Sequence, residues 1–110
     1  MLIWDLETNG LLDTVSKIHC MVIYDTYSKM YFRYRPETIA DGAHKLYDHL
    51  SNGGQICGQN IINFDLPVLN MFYPWFKVTR EMRHNVIDTL VLARLVFSEI
   101  NYIDNKLLSI

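Results

Sequence analysis

Met1-Leu2-Ile3-Trp4-Asp5-Leu6-Glu7, followed by Ile18-His19-Cys20-Met21-Val22-Ile23-Tyr24 and Met30-Tyr31-Phe32-Arg33-Tyr34-Arg35, is the stretch whose reading decides the fold. The first run reads as a short buried strand over Met1–Leu6 that ends in a polar turn, Glu7 to Gly10. The second is β-branched and apolar, and the third alternates aromatic with polar side chains. With the turn at Asp25–Lys29 they predict an antiparallel hairpin pairing with the first strand. Pro36 stops the hairpin, because proline cannot donate to the ladder.

Beyond Pro36 the period changes. Ile39, Ala43, Leu46 and Leu50 recur at helical spacing and predict an amphipathic helix that Asn52, Gly53 and Gly54 end. Gln55–Gly58 reads as a short strand leading into a loop, Asn60-Ile61-Ile62-Asn63-Phe64-Asp65. A second helix is expected to begin near Leu66 and Pro67, where proline is tolerated, and to break by Pro74. Val86 and Ile87 read as a last short strand. Asp88 or Thr89 then caps an apolar helix running to about Ile100. The order β-β-β-α-β-α-β-α predicts an α/β mixed sheet with helices on its faces.

The chain has 110 residues, which bounds it to a single domain over 1–110. Half of it is apolar and a fifth is charged, so neither a disulfide scaffold nor disorder is needed to explain it. A net charge of −2 gives no basic field able to hold DNA by phosphate contacts alone. Cys20 and Cys57 are isolated and read as thiols of a reduced cytosol. No run approaches the length of a membrane span, and no signal peptide is expected.

Two constellations carry possible chemistry. Asp5 and Glu7, two apart in a strand, point to one side of the sheet, and like charges so placed invite a hard cation between them. A solvated strand end would also account for them. Asp65 stands directly before Leu66-Pro67, where an N-cap is the simpler reading, and Asn60 alone would be a turn residue.

Taken in order, Asp5-Leu6-Glu7 and Asn60-Ile61-Ile62-Asn63-Phe64-Asp65 resemble the first two motifs of the DEDD exonuclease superfamily. MLIWDLETNGLLDTVSKIHCMVIYD and NVIDTLVLARLVFSEI further resemble the proofreading 3′→5′ exonuclease domain of family A DNA polymerases of short-tailed phages. The resemblance implies a ribonuclease H-like fold lacking its final helices, and removal of nucleotides from the 3′ end of single-stranded DNA. It implies two divalent ions, Mg²⁺ or Mn²⁺, about 4 Å apart. Asp5 would bridge both ions, Glu7 would hold the first and Asp65 the second. Thr8 and Asn60 would lie near the terminal nucleotide. Leu11 would wedge against the terminal base, although a loop leucine commonly plugs a core.

The family's third motif, Tyr-x3-Asp or His-x3-Asp, is matched in letters after residue 65 only by His84-x3-Asp88, which reads as a helix cap. The ions are therefore expected to bind weakly and the separate chain to be slow or inactive. The alternatives are an inactive nucleic-acid-binding or regulatory module, and an enzyme completed by another chain. Further expectations are the remainder of a DNA polymerase as partner, a host-cytosol location, and self-association through apolar surface on the last helix.

The other features have plain readings. The aromatics of residues 30–34 are expected to pack the sheet, His44 to lie on a solvated helix face, and Lys77, Arg80 and Arg83 to form a basic loop.

Overall fold

In the computed structural model, which describes residues 1–96, the chain builds a five-stranded sheet in the order β3-β2-β1-β4-β5. The strands are β1 (Leu2–Thr8), β2 (Ile18–Asp25), β3 (Met30–Tyr34), β4 (Ile56–Gly58) and β5 (Val86–Asp88). β1, β2 and β3 are antiparallel, whereas β1, β4 and β5 run parallel. The mixed α/β architecture expected from the sequence is the one observed, and it is compatible with a ribonuclease H-like fold.

The alternation of β1 is strict. Leu2, Trp4 and Leu6 turn into the core, while Ile3, Asp5 and Glu7 face outward. Met21 and Ile23 of β2 continue the inner face. Helix α1 (Ile39–Ser51) closes over it with Ile39, Ala43, Leu46 and Leu50, all buried. Ile39, Leu46 and Leu50 each contribute roughly 1.5–3 kcal/mol on leaving water, and the Ala43 methyl about 0.8 kcal/mol. Helix α2 (Leu66–Phe72) adds Val68 and Leu69, and Phe76 seals the same core. Gly53 takes a positive φ of 87° just beyond α1, the conformation that lets a glycine end a helix.

Three local details depart from the sequence reading. β1 continues through Thr8, so Glu7 belongs to the strand and not to the following turn, because β2 supplies ladder partners as far as Ile18. The ladder slips between Glu7 and Thr8, and such a bulge re-aims side chains at a strand end. The Asn60–Asp65 loop is a π-helical turn over Ile61–Asp65: the Leu66 N–H bonds to the Ile61 carbonyl, five residues back. His44 is exposed but not merely solvated; it stacks on Trp75 at 4.1 Å.

Helix α3 (Thr89–Val96) follows β5 and exposes Leu92, Leu95 and Val96. The expected extension to Ile100 and the tail NYIDNKLLSI lie outside the described residues. Among the described residues no helix is long and apolar enough to cross a membrane.

Candidate metal and nucleotide site

The parallel strands β1, β4 and β5 end on one edge of the sheet, where α/β folds commonly place their ligands. β1 brings Asp5 and Glu7 there, opposite Val22 and Cys20 of β2. β4 is only three residues long and pairs with β1 at Leu2 and Ile3. The later part of β1 is thus left with an edge that β4 does not cover.

Asp65 fills that gap. The Leu6 N–H donates to Asp65 Oδ2 at 3.2 Å, so a carboxylate from the α2 junction stands where a further β4 carbonyl would have accepted. Asp65 makes no capping hydrogen bond to α2 and sits at helical φ and ψ of −63° and −43°, so the cap expected from sequence position is not formed. The π-helical turn aims it instead. An extra residue in the turn rotates the side chains that follow, and π-turns recur at functional sites for this reason.

Burial, followed by the negative charges of Asp5 and Asp88, pushes Asp65 up to about 7 against the opposing hydrogen bond from Leu6. Burial also lifts the Asp5 carboxyl above its ordinary value, and the neighbouring Glu7 charge adds to it. Crowded carboxylates respond in this way when no cation neutralises them. The structure therefore brings Asp65 to the strand that carries Asp5 and Glu7. Hard oxygen donors of this kind suit Mg²⁺ or Mn²⁺. Among the described residues, however, no three His, Cys, Asp or Glu side chains stand close enough to hold an ion as they are arranged.

The remaining sequence candidates divide. Thr8 ends β1, and its hydroxyl donates to the Gly10 carbonyl at 3.0 Å. Leu11 is 74% exposed, so the core-plug reading fails. Its loop explains why. Asn9 Oδ1 accepts the Ser16 and Lys17 N–H groups at 3.1 and 3.0 Å, and the Leu11 N–H donates to Thr14 Oγ1 at 3.0 Å. The backbone needs of the loop are met internally, which leaves the leucine side chain outside. Asn60 holds a left-handed conformation with φ of 58°, the turn role expected of it.

Sequence reasoning saw Asp88 only as a cap. Leu90 and Val91 do donate their N–H groups to its Oδ1, at 2.9 and 3.3 Å. Asn60 and Ile62 also donate theirs, to Oδ1 at 2.9 Å and to Oδ2 at 3.0 Å. Asp88 therefore ties the β4–α2 turn to the start of α3. Burial alone would raise its carboxyl, but these four backbone hydrogen bonds hold it below the ordinary range. A carboxylate so occupied is a clamp, and the cap read from the sequence at Asp88 is formed. No signal in the sequence could have shown the reach to Asn60, which depends on β5 lying beside β4.

Gly58 completes the edge. A Cβ there would lie 2.8 Å from the Trp4 carbonyl oxygen and would collide with the Ile61 side chain, so only glycine lets β4 turn this close to β1.

The chain is 38% identical over 111 aligned positions, 98% of its length, to the DNA-directed DNA polymerase of Escherichia phage T7. It is homologous to a part of phage DNA polymerase. The enzyme of Enterobacteria phage T3 is 39% identical over the same share of the chain. The chain spans 16% of the length of each of these relatives. No protein-family model matches it. The kinship with phage DNA polymerases expected from the motifs is thus shown.

Proposed function

We propose that this polymerase-related chain is a 3′→5′ exonuclease domain that removes nucleotides from the 3′ end of single-stranded DNA, the proofreading part of a phage-type DNA polymerase. The observation that carries the reading is the Asp65 carboxylate bonded to Leu6, between Asp5 and Glu7 on β1. In this reading Asp5, Glu7 and Asp65 would have to draw closer than they stand here to hold divalent metal, which would supply an activated water and charge neutralisation at the phosphate. Thr8 and Asn60 border the terminal nucleotide, and Leu11 stands ready to lie against its base. The rest of a polymerase is the partner that delivers the DNA end.

One observation favours the rival, an inactive binding module: the absence, among the described residues, of a three-ligand cluster. Asp88, the only letter match to the family's last motif after residue 65, is already engaged by four N–H groups. Digestion by this chain alone is accordingly expected to be slow.

The test is digestion of 5′-labelled single-stranded DNA in Mn²⁺. Slow shortening from the 3′ end is expected. Asp5→Ala and Asp65→Ala should each lower it at least a hundredfold, about 3 kcal/mol in the barrier. Digestion that survives both substitutions would falsify the site. Binding of the strand without any shortening, under every metal tried, would favour the rival.

A further inference from the structure

An open cleft of about 620 Å³ lies on the outer flank of α2, between that helix and the segment leading to β5. Ile62, Leu66, Phe76 and Val78 form much of its wall, and Lys77 and Arg83 stand at it with no Asp or Glu among its lining residues. The volume is that of a small-molecule site. In a chain whose net charge is −2, a cleft lined by two cations and no anion is set apart. Apolar walls with cations beside them suit a ligand that is flat and apolar on one part and anionic on another.

The position narrows the ligand. Ile62 lies on the π-helical turn that ends at Asp65, and Leu66 follows at the start of α2, so the cleft and the carboxylate site share one backbone segment. The Ile62 N–H is fixed by Asp88, and Asn70 Nδ2 bonds the Phe76 carbonyl at 2.9 Å, which holds the two walls at a set separation. An open, braced cleft suits a strand laid along it better than it suits an acyl chain, which needs enclosure.

We propose that this cleft is a second nucleotide subsite, which takes the base of an inner nucleotide of a single DNA strand against Ile62, Leu66 and Val78, with its phosphate on Lys77 and Arg83. The proposal rests on the exonuclease reading for the strand's direction, but not for its binding. Bases on apolar walls and phosphates on flexible cations are the usual division of labour in single-strand binding.

The experiment uses the full chain, fluorescein-labelled oligothymidylate and EDTA, so that binding is read by anisotropy without cleavage. Lys77→Ala and Arg83→Ala should each weaken binding three- to tenfold and lower the slope of log affinity against log salt by about 0.7, one released counterion on a single strand. Both side chains are exposed, and unchanged circular dichroism will verify the fold. Affinity and slope equal to wild type in both variants would overturn the subsite. So would displacement of the strand by an oligoglutamate of equal charge at equal concentration, since that would make the cleft a docking place for acidic peptide. Digestion that depends on Asp5 but not on Lys77 or Arg83, with binding unchanged, removes the subsite and leaves the exonuclease. Binding that depends on both cations without digestion does the reverse.

Discussion

Asp65 and Asp88 are the two buried carboxylates among the described residues, each 4% exposed, and they live in opposite ways. Asp88 receives four backbone N–H groups and is held ionised. Asp65 receives the Leu6 N–H, faces the charge of Asp5, and is pushed up to about 7. Equal burial therefore says little about role. What separates the two is the number of backbone donors each carboxylate receives. Asp88 is satisfied by the fold. Asp65 is disfavoured as an anion by its burial and by the neighbouring carboxylates.

The sharpest way to break this comparison is to remove each group. Asp88→Ala strands four N–H groups at once and should destabilise the chain by about 4 kcal/mol in urea unfolding. Asp65→Asn should be neutral or stabilising at pH 7.5, because it deletes a charge that the fold disfavours. If the two variants lost equal stability, the distinction would not stand.

A second prediction concerns pH. Between about pH 4 and 7 the folded chain keeps a proton on Asp65 that the unfolded chain releases, so stability falls as pH rises across that window. The fall should be on the order of 2 kcal/mol once water's access to the site is allowed for. Asp88 acts in the opposite sense. Its contribution is present above the ordinary carboxylate value and is lost as pH falls below it. Thermal melts of wild type and Asp65→Asn from pH 4 to 8 will show whether the substitution flattens the decline; a parallel decline in both would reassign it.

Smaller effects bear on the edge between the two carboxylates. Gly58→Ala should cost about 1–3 kcal/mol, since the new methyl meets the Trp4 carbonyl oxygen, which cannot yield, as well as the buried Ile61 side chain. Leu11→Ala should change stability by less than about 0.5 kcal/mol, as an exposed loop position with no buried contact to lose. A slowed 3′-end digestion in that same variant would tie Leu11 to the substrate.

Much of this was legible in the sequence because it is local. Leu2, Trp4 and Leu6 alternate, Ile39 to Leu50 follow a helical period, and Asp5 and Glu7 share a face by strand geometry. Leu11 was not legible, because its exposure depends on hydrogen bonds that Asn9 makes across the loop. The π-helical turn was not legible either, since no residue of Ile61–Asp65 announces a five-residue hydrogen bond.

By itself, then, the sequence determined the order of the strands and main helices, the inward stripe of α1, and the candidacy of three carboxylates. Only the tertiary structure decided which aspartate became the cap and which turned to β1. The physical reason is that buried backbone N–H groups must find acceptors. Once β4 ended at Gly58, Leu6 presented such a group beside Asp65, and the β4–α2 turn presented two more beside Asp88. Which N–H remains unpaired is known only after the sheet has closed.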